Sequence, residues 1–173
     1  MNAKEKMIEA LYKLLTVKDF VDINVSEVCQ IAKIHRTTFY AYYSNLLELL
    51  DDAKNQAIKE FEEENKYEDK DRNDFRNQIF LNYLYFVKNH AVLFKAYFKN
   101  ASALGADKDF EELFNKVLLP KAKAKYGNDY KMIFYTSRFF IDVIFAIVKV
   151  WMQNGFEETP EELAKIISRI NVI

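Results

Sequence analysis

The stretch from Ser26 to Leu50, SEVCQIAKIHRTTFYAYYSNLLELL, constrains the fold more than any other part of this chain. It holds two short helical patterns joined by a tight turn. Val28, Ile31 and Ala32 recur at helical spacing, Ile34 falls in the turn, and Phe39 with Tyr43 makes an i, i+4 pair on the second pattern. These positions are expected to face inward. With Phe39 at the core centre, a step of about 100° per residue puts Thr37, Thr38 and Ala41 on the opposite face, with Tyr40 and Tyr42 on its flanks. The outer face is then small and polar. A short helix, a tight turn and a second helix with such a face form a helix-turn-helix, which brings a helix backbone close to base edges in a major groove.

Upstream, Ile8, Leu11 and Leu15 make an apolar stripe on a first helix over about residues 3 to 17, and Phe20, Ile23 and Val25 continue the apolar contacts into the connection. The result is a three-helix unit. Downstream, Asn45 followed by Glu48 has the form of an N-cap with its partner, opening a fourth helix that runs to about Glu64.

The run from Ile8 to Leu50, with Phe20, Ile23, Val25, Ile31, Ala32, Ile34, Arg36, Thr38, Phe39, Tyr40, Tyr42 and Leu50 at their spacings, resembles the N-terminal domain of the TetR family of transcriptional regulators. Near the other end, Trp151, Asn154, Gly155 and the run Thr159, Pro160, Glu161, Glu162 resemble the junction of the last two helices in one TetR subgroup. The resemblance implies an all-α fold of about nine helices: a three-helix helix-turn-helix head and a larger helical domain for ligand binding and dimerisation. It implies Arg36, Thr37, Thr38 and Tyr40 near bases, with Ser26, His35 and Tyr42 at phosphates; Lys33 joins them through its charge in the turn. Thr37 and Thr38 also bring the backbone amides of the helix start toward phosphates. Three positions depart from the family pattern. Lys33 replaces a small residue in the turn, His35 replaces Ser, and Leu46 replaces a Lys that touches phosphate. The first loses permissive backbone chemistry, and the last loses one charge-assisted contact.

The chain has 173 residues, half of them hydrophobic, with three Gly and two Pro, a composition that reads as all helix. The formal net charge of −1 leaves out the broad basic patch of nonspecific DNA binders. A sequence-specific reader can share phosphate contacts among amides, hydroxyls and helix ends, and its salt dependence is then shallow. Lys4, Lys6, Lys33 and Arg36 are the nearest cations. The single Cys29 argues against a disulfide framework and suits a reducing compartment, with packing as its role. The N-terminus, MNAKEKMIEALYKLL, is charged throughout and has no apolar core with a cleavage site, so a cytoplasmic location is expected. The longest apolar run, Phe139 to Val148, is interrupted by Asp142 and falls short of the roughly 20 residues that span a bilayer, so no membrane association is expected.

Residues 1–50 are read as the DNA-binding domain, with the fourth helix, 46–64, as connection, and 65–173 as the ligand-binding and dimerisation domain. The polar stretch from Asn65 to Asp74 links the fourth helix to the fifth. Further helices are expected at about 72 to 89, 91 to 100, 107 to 126, 129 to 154 and 160 to 171. Pro120 should kink or divide the third of these, and Gly127 and Gly155 mark C-terminal caps. Thr159, Pro160 and Glu162 form a three-part start signal for the last helix.

The helix ending near Asn154 is apolar nearly all round and needs burial on more than one side. A larger intrachain core would serve; the resemblance implies instead a homodimer interface of two helices from each subunit, through Ile144, Val148, Trp151, Leu163, Ile166, Ile167 and Ile170. Dimerisation would set two heads about 34 to 36 Å apart on a palindromic operator in double-stranded DNA. Tyr83, Phe86, Phe94, Tyr97, Phe98, Phe114, Phe134, Tyr135 and Phe139 supply aromatic surface suited to an apolar or aromatic small molecule, and equally to an ordinary core.

Enzymatic readings have little support. His35 and His90 fall in different units, and neither a Gly-rich phosphate loop nor metal-ligand spacing is present, so no catalytic residue, metal or cofactor is expected. Asp142 pairs with Arg138 one turn earlier, or sits in the pocket or interface. The competing reading is a helical small-molecule or protein-binding module whose head no longer binds an operator.

Overall fold

The computed structural model describes residues 1–64, 72–104 and 119–169, and every described element is helical. They fall into two compact units: one of Met1–Asn100 with Glu158–Ile173, the other of Ala101–Glu157.

The first unit begins with helix α1 (Ala3–Leu15), where Asn2 accepts the Glu5 amide at 2.9 Å and the Glu5 carboxylate accepts the Asn2 amide at 2.8 Å. Met7, Ile8, Ala10, Leu11 and Leu14 are buried, a broader stripe than the sequence periodicity suggests, and Leu15 is only half-buried. A 3₁₀ turn, Phe20–Asp22, leads to α2 (Val25–Ala32), which opens on a second reciprocal cap between Asn24 and Glu27. Helix α2 buries Val28, Cys29 and Ala32, whereas Ile31 is 40% exposed. This corrects the inward placement of Ile31. Measured from Val28, Ala32 and Cys29 lie about 40° and 100° round the helix in one direction, and Ile31 lies about 60° in the other. Burial follows the arc that Cys29 shares.

The turn runs through Lys33 into α3 (Arg36–Tyr42), and Asn45 then starts α4 (Leu46–Glu64) by accepting the Glu48 amide at 3.0 Å. Helices α1, α2 and α3 pack on one another, and α4 packs on α1. Helix α5 (Arg72–Asn89) turns at His90 into α6 (Ala91–Lys99), which packs on both α1 and α4. The last helix of this unit, α10 (Pro160–Arg169), packs on α5; Thr159 accepts the Glu162 amide at 3.2 Å, as the start signal predicts. The Tyr85 hydroxyl donates to Glu161 across that contact.

The second unit contains α7 (Ala101–Leu104), α8 (Leu119–Tyr126) and α9 (Tyr130–Gln153). Pro120 is in the first described turn of α8, and the portion of the expected helix before Leu119 lies outside the described residues. Asp129 caps α9 by accepting the Met132 amide at 3.0 Å. Gly155 (φ 72°) ends it, with the Phe156 amide reaching back to the Trp151 carbonyl at 2.9 Å. The Phe156 ring meets buried Trp151 edge-on at 4.7 Å. Arg138 donates to Asp142 at 2.9 Å, the i, i+4 pair among the alternatives open in the sequence.

Candidate functional site

Helix α3 is held from behind by aromatic side chains. Phe39 is fully buried and Tyr43 nearly so, with ring centroids 5.8 Å apart. The Tyr43 hydroxyl donates to Asp52 of α4 at 2.7 Å, and the other Asp52 oxygen pairs with Lys4 of α1 at 2.9 Å. Burial, then the bond to Asp52, raises the Tyr43 phenol pKa, so the hydroxyl stays protonated as donor. One carboxylate thus ties the end of α3 to α4 and α1, and it occupies Lys4, one of the cations nearest the head.

Anchoring this face leaves the opposite one open. Arg36, Thr37, Tyr40 and Tyr42 are exposed, the tyrosines by 53% and 52%, and Thr38 is half-buried. Ser26, Lys33 and His35 are exposed on α2, in the turn and at the α3 N-cap position. All eight residues named from the sequence for DNA lie within the α2–turn–α3 segment. Lys33 takes the left-handed conformation (φ 55°, ψ 49°), the backbone position for which a small residue is suited. The Ile34 amide then reaches the Cys29 carbonyl at 3.1 Å and closes α2. Burial pushes the Cys29 thiol pKa up, consistent with packing.

The aromatic residues named for a ligand divide between the two units. In the first, the Phe86 ring lies 6.5 Å from Tyr83 and 5.3 Å from Phe94; Phe98 is 6.3 Å from Phe94 and 5.5 Å from Tyr97. Phe86, Phe94 and Tyr97 are buried, and Tyr83 and Phe98 half-buried. Phe134, Tyr135 and Phe139 belong to α9 in the second unit and are exposed by 47%, 70% and 43%. Phe114 lies outside the described residues.

Two residues of this aromatic group escaped the sequence reading. Phe61 of α4 lies 4.8 Å from Phe86 at a tilt of 32°, and the His90 ring also lies 4.8 Å from Phe86. The spacing Phe86, His90, Phe94, four residues at a time, was the available signal. His90 Nδ1 is 2.9 Å from the Tyr12 hydroxyl of α1. Burial lowers the His90 pKa against the opposing pull of Glu60 and Glu64, and burial with the Glu60 charge pushes Tyr12 up to about 12. An open cleft of about 490 Å³ lies beside this group, bordered by Phe61, Glu64, Asn82, Tyr85, Phe86, Asn89 and His90.

Polar contacts hold helix α6 to the head and to α4. His90 meets Tyr12 at one end and Lys99 pairs with Asp19 at 2.9 Å at the other; between them the fully buried Lys54 of α4 lies 4.8 Å over the Tyr97 ring and 3.0 Å from Asp51.

Of the residues named for dimerisation, Val148, Trp151 and Leu163 are buried within the single chain and Ile144 and Ile167 half-buried. Ile166 is 48% exposed, and Ile170 lies outside the described residues. No described helix is long and apolar enough to cross a membrane, and no group of metal-ligating side chains is found among the described residues.

Residues 74–171 match a TetR-type family described as the transcriptional regulator C-terminal region. A solved structure named "Dihydroxyacetone kinase operon activator DhaS" is similar with a TM-score of 0.64 and 24% identity, over 97% of this chain and 93% of that one. At that identity the likeness speaks to the fold. None of the curated proteins matches the chain.

Proposed function

We propose that this chain, which belongs to the TetR family of transcriptional regulators, works in the cytoplasm as a homodimer that reads a palindromic operator and releases it when a small molecule binds. The observation that carries the reading is the two-sidedness of α3: Phe39 buried, with Arg36, Thr37 and Tyr40 open on the same seven-residue helix. Arg36, Thr37, Thr38 and Tyr40 then read base edges, while Ser26, Lys33, His35 and Tyr42 meet phosphates. The dimer is assigned to α9 and α10, where Ile166 offers open apolar surface and Ile144 and Ile167 offer half-open surface.

Repression is the primary reading. Activation is the second, and the printed name of the similar structure, an operon activator, is what favours it. The test is selection of fragments of the source genome by purified protein over a salt series, beside a Thr38→Ala, Tyr42→Ala double variant. One palindrome is expected to be enriched by the wild type alone, with a shallow salt slope. Lack of enrichment at every salt concentration would replace this reading with a binding module whose head reads no operator. A reporter driven from the selected site separates repression from activation by the sign of its change when the regulator gene is deleted.

A further inference from the structure

The cleft beside Phe86 joins three features that are unrelated in the sequence. Its aromatic lining is Phe61 and Phe86, 4.8 Å apart with a tilt of 32°, and Tyr85, whose hydroxyl is committed to Glu161. Asn82 and Asn89 border it with amides, and Glu64 is the one formally charged side chain among the described residues that line it. Glu60 lies close enough to act, with Glu64, on His90. The volume, about 490 Å³, falls within the usual range of small-molecule sites. Aromatic faces and a carboxylate on one wall both favour positive charge, because the ring quadrupole is negative at its face.

His90 borders this cleft and also touches the head. Its Nδ1 is engaged with the Tyr12 hydroxyl, which leaves Nε2 as the nitrogen available to another partner. A neutral imidazole carries one proton. An N–H donor at Nε2 therefore holds that proton on Nδ1, and the Tyr12 hydroxyl must then accept where it could otherwise donate. Tyr12 sits on α1, the helix against which α2 and α3 pack.

We propose that the cleft between α4 and α5 binds an organic cation, an ammonium carried on a flat apolar body, and that the His90–Tyr12 hydrogen bond passes its arrival to the DNA-reading head. The cleft is the site at which the small molecule of the regulator reading acts, and the relay rests on that reading. The apolar body lies against Phe61 and Phe86, the ammonium faces Glu64, and its N–H reaches His90. Because coupling is reciprocal, a cation that weakens operator binding is itself bound more weakly by the operator complex.

Three naphthalene probes of one shape and different charge test this on the full chain: 1-naphthylmethylammonium, 1-naphthylmethanol and 1-naphthylacetate. Naphthalene fluorescence anisotropy reads binding, and operator affinity is measured in parallel. The ammonium is expected to bind at least about tenfold more tightly than the alcohol, and the acetate more weakly than either. Glu64→Gln should narrow the gap between ammonium and alcohol; Glu64 is exposed, so the fold is retained. Tyr12→Phe keeps the ring in place, and it should bind the ammonium as the wild type does while losing most of the probe's effect on operator affinity. Equal binding of the three probes, no binding of any, or an ammonium preference undiminished by Glu64→Gln overturns the site. An undiminished operator effect in Tyr12→Phe overturns the relay. A wild-type chain that binds no operator ends the regulator reading and the relay together, while the anisotropy arm still decides the cleft.

Discussion

Lys33 holds a left-handed backbone conformation, where a Cβ crowds the following carbonyl and costs about 1 kcal/mol or more relative to glycine. A Lys33→Gly variant is expected to gain about 1 kcal/mol of stability in urea unfolding, the relief of strain exceeding the added entropy of the unfolded chain. A loss of stability on this change would mean that the aliphatic stem of Lys33 contributes packing greater than the strain. The departure itself was legible, since a lysine stands where small residues suit the turn. Other residue-level features were not. Ile31 and Cys29 are both apolar and both near the edge of the α2 stripe, and which one turned inward depended on where α1 packs. The bond of Tyr43 to Asp52, and of Asp52 to Lys4, joins three helices through a carboxylate that no local pattern marks.

Helix starts in this chain repeat one chemical device. Asn2 with Glu5, Asn24 with Glu27, and Thr159 with Glu162 each exchange two side chain–backbone hydrogen bonds, satisfying amides that the first helical turn leaves over. At α4 the same spacing gives a variant, in which Glu48 accepts from the amide of Ser44, one residue beyond the cap. Beside the expected caps at Asn45 and Thr159, the structure adds those at Asn2 and Asn24, where Asn-x-x-Glu is written plainly in the sequence. Asn24→Ala should cost about 1 kcal/mol in urea unfolding, because the α2 amides lose their acceptor. Glu27 also pairs with Lys18 at 2.5 Å, and that bond first, with the Asn24 amide second, holds its carboxyl below the usual range. An unchanged midpoint for Asn24→Ala would show that Glu27 and Lys18 hold the start of α2 without the cap.

At the scale of the whole molecule, compactness groups the head with α4, α5, α6 and α10, and sets α7, α8 and α9 in a second unit. Each unit leaves apolar surface open: Ile166 on α10 in the first, and Phe134, Tyr135, Phe139 and Val150 on α9 in the second. Such surface is what a homodimer would cover. Light scattering on the purified chain is expected to give the dimer mass, and Ile166→Glu to shift it toward the monomer, since a carboxylate placed in an apolar contact loses its hydration. A monomeric wild type at micromolar concentration would remove the two-headed reading of a palindrome. A dimer unaffected by Ile166→Glu would move the contact away from that residue.

What the sequence determined by itself was short-range. Helix existence, the caps at Asn45 and Thr159, the stop at Gly155, the helix-turn-helix and its inward Phe39 all depend on residues within about four positions of one another, and helical geometry makes such neighbours meet whatever the rest of the chain does. Tertiary structure decided the pairings between distant segments. Tyr12 with His90, Asp19 with Lys99 and Lys54 with Tyr97 are brought together by the packing of α6 on α1 and α4, and Phe61 of α4 meets Phe86 of α5. An aromatic at helical spacing looks the same in the sequence whether it fills a core or borders a cleft, because the difference lies in what the facing helix presents. Phe86 and Phe139 were read alike, yet one is buried against Phe61 and the other leaves 43% of its surface open.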